Sequence, residues 1–81
     1  MPYYVYILKS QKNGKHYYGS CENIDVRLAL HNAGKVKSTK PFIPYFVIYT
    51  EEYPNRSEAY RRELFFKSID GYKFLKGLNI L

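Results

Sequence analysis

The first part of the chain is a dense run of β-branched and aromatic residues that ends at a turn signal. Residues 3 to 9 contain only tyrosine, valine, isoleucine, leucine and one lysine, a composition typical of a strand. The Asn13-Gly14 pair that follows suits a two-residue type I′ turn, because both residue types tolerate positive φ. The pattern predicts a β-hairpin in which Leu8 lies opposite Gly19.

Two later segments are predicted as helices from their composition, caps and end signals. The first covers residues 24 to 33 and stops at Gly34, a residue type that often ends helices. The second covers residues 57 to 69, with Gly71 as its end. Residues 72 to 78 are long enough for a short third helix.

A third strand is predicted between the two main helices. Residues 45 to 50 form a β-rich run bounded by Pro44 and by the acidic pair Glu51-Glu52. The resulting order is β-β-α-β-α with a trailing helix, which indicates one α/β (α+β) domain spanning residues 1 to 81. A three-stranded antiparallel sheet flanked by helices fits this order, and helices covering one face of the sheet are the simplest arrangement.

Three polar residues occupy helical positions whose neighbours on the same stripe are apolar. Arg27 and His31 share a stripe with apolar side chains of the first helix, at spacings of three and four residues. In the second helix, Glu63 lies between Ala59 and Phe66 and so faces inward. Charged side chains on an inward face line a cleft, pair with each other or hold a metal ion.

Two interpretations of these polar positions stay open. In the structural one, Arg27 and Glu63 form an ion pair between helices at the edge of the core. In the functional one, the side chains of Tyr6, Tyr17, Arg27, His31 and Glu63 converge on one groove, since each lies on an inward or shared face.

The tyrosines bear on that choice because the chain has 10 Tyr and 5 Phe but no Trp, more aromatic side chains than so small a core needs. Tyr6 and Tyr17 share one face of the predicted hairpin, although its register separates their Cα atoms by roughly 13 Å. Gly19 between them either leaves room for a substrate strand or ends the strand. Taken singly, each tyrosine is also explained by packing.

The charge of the chain favours a polyanionic partner. Its 81 residues include 13 Lys and Arg against 7 Asp and Glu, a formal net charge of +6. Three lysines, Lys35, Lys37 and Lys40, fall in a stretch without apolar period, which predicts an exposed loop. Together with Lys15 they are candidate contacts to nucleic-acid phosphates.

The remaining composition excludes several classes of protein. The single Cys21 cannot form an internal disulfide, and no apolar run reaches the roughly 18 to 20 residues that a membrane span needs. The first residues lack the basic leader and small-residue cleavage site of a signal peptide. A cytoplasmic protein without a membrane partner is therefore expected.

Several motifs resemble the GIY-YIG nuclease superfamily. Tyr4-Val5-Tyr6 is similar to its first signature and Tyr17-Tyr18-Gly19 to its second, at a matching spacing. Residues 23 to 32 resemble the first helix of the family, and residues 58 to 63 resemble the helix that carries its metal ligand. The resemblance covers residues 3 to 70 and is strongest to small stand-alone bacterial members, which are similar to the nuclease subunit of excision repair, a DNA-repair enzyme.

The resemblance implies a GIY-YIG endonuclease-like fold and a metal-dependent endonuclease that acts on nucleic acid, with DNA favoured over RNA. It implies that Arg27 offsets charge on the phosphate and that Glu63 holds one Mg²⁺ or Mn²⁺ ion. The phenol of Tyr17 or that of Tyr6 is implied to take a proton from water, although an ordinary tyrosine pKa near 10 is high for that role. His31 is an alternative base or a group that orients a tyrosine.

The chain departs from the family pattern without losing a reacting group. Tyr4 replaces the usual first glycine, Tyr18 replaces the central isoleucine, and Cys21 stands where threonine or serine is common. Many relatives carry a further asparagine after the metal-site helix, and Asn79 is the only late candidate here.

Two functions outside catalysis compete with this hypothesis. A non-catalytic nucleic-acid-binding module would keep the groove and its aromatic rings but would gain nothing from a carboxylate at Glu63 that faces phosphates. A protein-interaction domain would need a large exposed apolar patch, which the sequence does not clearly show.

Overall fold

The first strand is apolar on both of its faces, and the rest of the molecule is arranged around it. The computed structural model describes residues 1 to 81. Val5 to Leu8 are all buried, and since successive strand side chains point to opposite faces, such a run needs cover on both sides. The elements in chain order are β1 (Tyr3–Ser10), β2 (His16–Cys21), α1 (Ile24–Asn32), a 3₁₀ turn (Lys40–Phe42), β3 (Tyr45–Tyr53), α2 (Arg56–Phe66) and α3 (Ile69–Gly77).

The sheet is antiparallel with the strand order β2-β1-β3, which confirms the three-stranded sheet and the β-β-α-β-α-α order. The simple arrangement with helices on one face is wrong. Val5 and Ile7 pack against α2 and α3, whereas Tyr6 and Leu8 lie on the other face, against α1. The structure therefore has two small hydrophobic cores, one on each face of the sheet, instead of a single core under one layer of helices.

The hairpin between β1 and β2 forms as predicted, but its register differs by two residues. Gly19 lies opposite Tyr6 rather than Leu8. Of the two turn residues only Gly14 has positive φ, so a type I′ turn is excluded. The loop is longer because the Ser10 hydroxyl accepts hydrogen bonds from the backbone N–H groups of Lys12 and Asn13. A shift of two residues keeps every side chain on its predicted face.

Strand β3 is longer than the residues 45 to 50 predicted, because it continues through Glu51-Glu52. The Glu51 carboxylate accepts hydrogen bonds from the hydroxyls of Tyr49 and Tyr53 and pairs with Arg62 at 2.8 Å. Burial acts to raise the pKa of Glu51, but the bonds from Arg62 and the two tyrosines outweigh it and lower the pKa. An acidic residue inside a strand is thus stabilised by partners that the sequence pattern did not reveal.

The first helix ends at Asn32, just before Gly34 with its positive φ, within one residue of the prediction, and Asn23 is its N-cap. The second helix differs, since it starts after Asn55, stops at Phe66, and leaves Gly71 inside α3. A Cβ atom at Gly71 would clash with the backbone carbonyl of Phe65, so glycine is needed for the close approach of the two helices. The longest helix has eleven residues, and none is long and apolar enough to cross a membrane.

Replacing Gly71 with alanine is expected to lower the free energy of unfolding by roughly 1 to 3 kcal/mol, because the added methyl group overpacks the contact between α2 and α3. Gly77→Ala, at a helical position with open space around it, is the matched control and should be neutral or slightly stabilising. Urea denaturation of both variants checks this. Equal stability of the two variants would contradict the close approach.

Candidate active site

A cleft of about 580 Å³ runs around the free edge of β2. One wall is formed by α1, which covers the Tyr6 face of the sheet, and the other by α2, which covers the Val5 face. The end of β2 forms the floor. The side chains that line the cleft and carry charge are Arg27 of α1, Arg56 and Glu63 of α2, and Glu22 after β2.

Arg27 is the cation of the α1 wall and has no acidic partner. The ion pairs of the structure are Arg62 with Glu51 and Lys67 with Glu63, so the ion pair between Arg27 and Glu63 considered above is absent. The guanidinium instead lies beside the Tyr6 hydroxyl, close enough that its pKa is raised by the phenol. Its charge remains available at the cleft.

Glu63 lies on the opposite wall and faces inward, as its helical spacing predicts, with only 8% of its surface exposed. Its Oε1 accepts a hydrogen bond of 2.8 Å from the Ser20 hydroxyl. Its Oε2 accepts a bond of 2.8 Å from the Lys67 ammonium, whose side chain is about half exposed. One carboxylate oxygen is therefore held by the sheet. The other is bound by the lysine side chain, which is exposed enough to move.

Tyr6 and His31 form a buried pair behind the Arg27 wall. The Tyr6 hydroxyl lies 3.3 Å from His31 Nε2, and His31 Nδ1 lies 2.8 Å from the hydroxyl of Thr39. Burial raises the pKa of Tyr6 to about 12, despite the opposing effect of Arg27. Burial and the charge of Arg27 lower the pKa of His31, so the imidazole is neutral at neutral pH. Neither group faces the open cleft.

Tyr17 is closer to Tyr6 than the predicted hairpin allowed. In the observed register it lies diagonally across from Tyr6, and the two ring centroids are 6.4 Å apart. The His31 ring packs edge-on at 4.8 Å from the Tyr17 ring. Gly19 makes room for the Tyr6 ring, since a Cβ there would clash with it, so neither predicted role of this glycine applies. Tyr17 is only partly buried, unlike Tyr6.

Four of the five candidate residues, all except Glu63, thus form one cluster on the α1 face of the sheet. Glu63 lies outside this cluster and shares only the lining of the cleft with Arg27. Arg27 of α1 and Lys67 at the end of α2 both lie within electrostatic range of the Tyr17 hydroxyl.

The candidate phosphate-binding lysines do not line the cleft. Lys15 precedes β2, and the other three follow α1, so they lie near the opposite end of β2 from the cleft floor. The backbone N–H of Gln11 donates to the carbonyl of Pro44, which brings the hairpin loop beside the segment that follows α1. All four side chains are exposed, which was predicted for Lys35, Lys37 and Lys40.

Five polar residues at the site escaped the sequence analysis, among them Arg56 and Glu22, which line the cleft. Lys67 follows Glu63 by four residues, a helical spacing typical of ion pairs that was available as a signal. Ser20 could have been found from strand alternation once the register was known. Thr39 is 1% exposed although it belongs to a lysine-rich loop predicted to be exposed, and no local pattern indicates its burial.

The residues of the cleft fit a cation that is bound mainly by water and phosphate oxygens. No group of three or more His, Cys, Asp or Glu side chains is placed to enclose a metal ion. Mg²⁺ is often bound through one or two carboxylates together with phosphate oxygens, and the carboxylates that line the cleft are those of Glu63 and Glu22. Two other acidic residues near Glu63 in the sequence do not line the cleft. Asp70 lies at the exposed start of α3, and Glu58 bonds to Asn55.

Comparison with known proteins places these features in a family. The family model of the GIY-YIG catalytic domain matches residues 2–73, and the chain belongs to this family. The GIY-YIG domain carries nuclease potential, acts in general on nucleic acid, and typically uses one divalent metal ion.

More particular similarities are to small bacterial proteins named UPF0213. A UPF0213 protein of Staphylococcus haemolyticus is 41% identical over 75 residues, which are 91% of this chain and 90% of that protein. A UPF0213 protein of Oceanobacillus iheyensis is 35% identical over 75 residues, 91% of this chain and 86% of that protein. The solution NMR structure of a UPF0213 protein from Bacillus halodurans is 33% identical, with a TM-score of 0.57, and the match covers 96% of this chain and 85% of that one.

The neutral, buried state of His31 predicts a specific pH dependence of stability. Because its pKa is lower in the folded chain than the ordinary value near 6.5, the unfolded chain takes up the proton first as the pH falls. The stability that depends on neutral His31 is therefore complete above about pH 6.5 and is lost progressively below it.

Thermal unfolding measured between about pH 7.5 and 5 should show a melting temperature that falls with pH in the native chain and falls less in His31→Gln. His16→Gln serves as comparison, because the His16 pKa is also lowered by burial and that variant keeps the His31 contribution. Parallel curves for the native chain and His31→Gln would rule out a neutral buried His31.

Proposed function

We propose that this protein is a metal-dependent nuclease that hydrolyses phosphodiester bonds of nucleic acid, with DNA as the favoured substrate. The observation that carries the proposal is that Arg27 and Glu63 line the same cleft from helices on opposite faces of the sheet. An arginine without an acidic partner on a concave surface suits an anionic ligand, and a nearby inward carboxylate suits a divalent cation. A role in DNA repair, which the resemblance implies, stays a prediction.

Arg27 has the part of a preplaced positive charge in this mechanism. In-line attack on a phosphodiester increases the negative charge on the phosphate oxygens, and a guanidinium fixed in the ground state stabilises that charge without reorganising. The guanidinium lies beside the Tyr6 hydroxyl at the cleft wall. When bound at Glu63, Mg²⁺ or Mn²⁺ would stabilise the leaving oxygen.

Tyr17 is the phenol best suited to accept the proton of the attacking water. Tyr6 is unsuited, since its hydroxyl is buried, already contacts His31 and Arg27, and has a pKa raised to about 12. His31 is fully buried and bonded at both nitrogens, which supports an orienting role rather than that of the base. Tyr17 is partly exposed and lies within range of the charges of Arg27 and Lys67.

The exposed lysines extend the proposed nucleic-acid surface beyond the cleft. The six residues of β2 separate the two ends by roughly 17 Å. A nucleic acid that contacts both ends must therefore span about five nucleotides at about 3.4 Å each. These contacts are to the backbone, so we expect them to be salt-dependent and independent of sequence; they involve Lys15, Lys35, Lys37 and Lys40.

A second candidate function is binding of nucleic acid without cleavage. It is favoured by one observation, namely that both oxygens of Glu63 already have protein partners in Ser20 and Lys67, which gives the carboxylate a structural explanation. The family match favours the nuclease, because the matched domain is a catalytic one.

Replacing Glu63 with glutamine is expected to abolish nicking of DNA in the presence of Mg²⁺ or Mn²⁺, because the amide keeps the shape of the side chain but loses its charge. Binding measured by fluorescence anisotropy without metal should change little. Glu58→Gln, on the exposed face of the same helix, is the control and should cut normally. Equal cleavage by Glu63→Gln and the native chain would refute the metal role.

Replacing Tyr17 with phenylalanine removes only a hydroxyl group and is expected to slow cleavage by about 100-fold or more, the usual contribution of a general base. The melting temperature should stay nearly constant. Tyr18→Phe, the adjacent residue on the other face of β2, is the matched control. If single-turnover rates are the same for both variants, the base lies elsewhere.

A further inference from the structure

Thr39 is a buried hydroxyl in a segment that is otherwise polar and exposed. It follows the first helix by seven residues and belongs to the stretch that contains Lys37 and Lys40. Its side chain is nevertheless almost fully covered, and its only side-chain partner is His31. A chain of contacts therefore runs from Thr39 through His31 and Tyr6 to Arg27 at the cleft.

The direction of the first hydrogen bond follows from counting protons at Thr39. A threonine hydroxyl has one proton, and the Thr39 hydroxyl donates it to the carbonyl oxygen of Val36 at 3.3 Å. Toward His31 Nδ1, at 2.8 Å, the same oxygen can then only accept. This arrangement assigns the proton of His31 to Nδ1.

The other end of the chain gives the same answer. The positive charge of Arg27 beside the Tyr6 hydroxyl favours the orientation in which the oxygen lone pairs point to the guanidinium, so the hydroxyl proton points to another acceptor. His31 Nε2, at 3.3 Å, is the acceptor that the structure provides. The opposite tautomer would direct the Nε2–H at the Tyr6 oxygen and leave the buried hydroxyl proton without this acceptor.

We propose that Thr39 is a positioning residue: its hydroxyl holds His31 in the Nδ1–H tautomer, so that Tyr6 donates to His31 and presents its oxygen lone pairs to Arg27. The guanidinium is thereby fixed at the cleft wall. The proposal rests on the proposed function only in that the fixed guanidinium acts on a phosphate. It also connects the lysine-rich segment to the cleft, since Thr39 belongs to that segment.

The test starts from the tautomer of His31, measured on the full-length ¹⁵N-labelled chain by two-bond ¹H–¹⁵N correlation NMR. His16→Gln assigns the signals, because the chain has 2 His. In the native chain we expect a protonated Nδ1 and an unprotonated Nε2. In Thr39→Val, which keeps the shape but lacks the hydroxyl, the Nε2–H form should become populated, and Thr39→Ser should restore the native spectrum.

A second readout follows the side chain of Arg27. Its Nε–H order parameter from ¹⁵N relaxation should fall in Thr39→Val and return in Thr39→Ser. If cleavage is observed, kcat should drop by about 10- to 100-fold in Thr39→Val with little change in KM, because a displaced charge affects the transition state more than binding.

Three results would overturn the proposal: a native chain with the proton on Nε2, an unchanged tautomer in Thr39→Val, or unchanged order of Arg27 in that variant. If Thr39→Val folds poorly, the Tyr6→Phe variant decides the question. In that variant Thr39 is the remaining side chain that can keep the His31 proton on Nδ1. A native chain that shows the expected spectra and Arg27 order but cuts no nucleic acid supports the positioning role and overturns the proposed function.

Discussion

The packing of the Tyr6 ring onto Gly19 is the contact on which the whole site depends. Because β2 has no side chain at this position, the ring occupies the space beside the strand, and its hydroxyl reaches His31 and Arg27 on α1. The Tyr6 ring also packs edge-on against the ring of His31, which is fully buried. A side chain at position 19 would displace the phenol and with it the partner that keeps Arg27 at the cleft.

The edge position of β2 explains how opposite charges from opposite faces of the sheet come to share one cleft. A central strand such as β1 has neighbours on both sides, which separate the helices above and below it. At an edge, α1 and α2 can both extend past the strand. Alternation along β2 then assigns the roles of adjacent residues, since Ser20 faces α2 and contacts Glu63 while Cys21 packs beside Tyr6 under α1.

Local signals predicted what depends on local structure: the hairpin, the first helix with its caps, and the inward face of Glu63 all follow from spacing within one element. The register did not, because the Asn-Gly signal competes with a loop closed by the Ser10 hydroxyl, and contacts with a distant segment favour the longer loop. Gly71 was interpreted as a helix end because the close approach of two helices leaves no trace in the spacing of residues. The roles of the site residues rest on family resemblance. The unbroken apolar run of β1, in contrast, was a signal in the sequence that this strand is covered on both faces.

A comparison of two arginines separates structural from functional charge in this molecule. The charge of Arg62 has a structural role, since its guanidinium pairs with Glu51 and lies 4.7 to 4.9 Å from the centroids of three phenylalanine rings. Arg27 contacts a neutral phenol and no carboxylate, so its charge is oriented but not neutralised. Glu63 differs from Glu51 in the same way, because its cationic partner Lys67 is half exposed and can move aside at small energetic cost. The consecutive residues Arg62 and Glu63 of α2 therefore differ in role: Arg62 holds the helix to β3 through Glu51, whereas the charges of Glu63 and Arg27 at the cleft are available to a ligand.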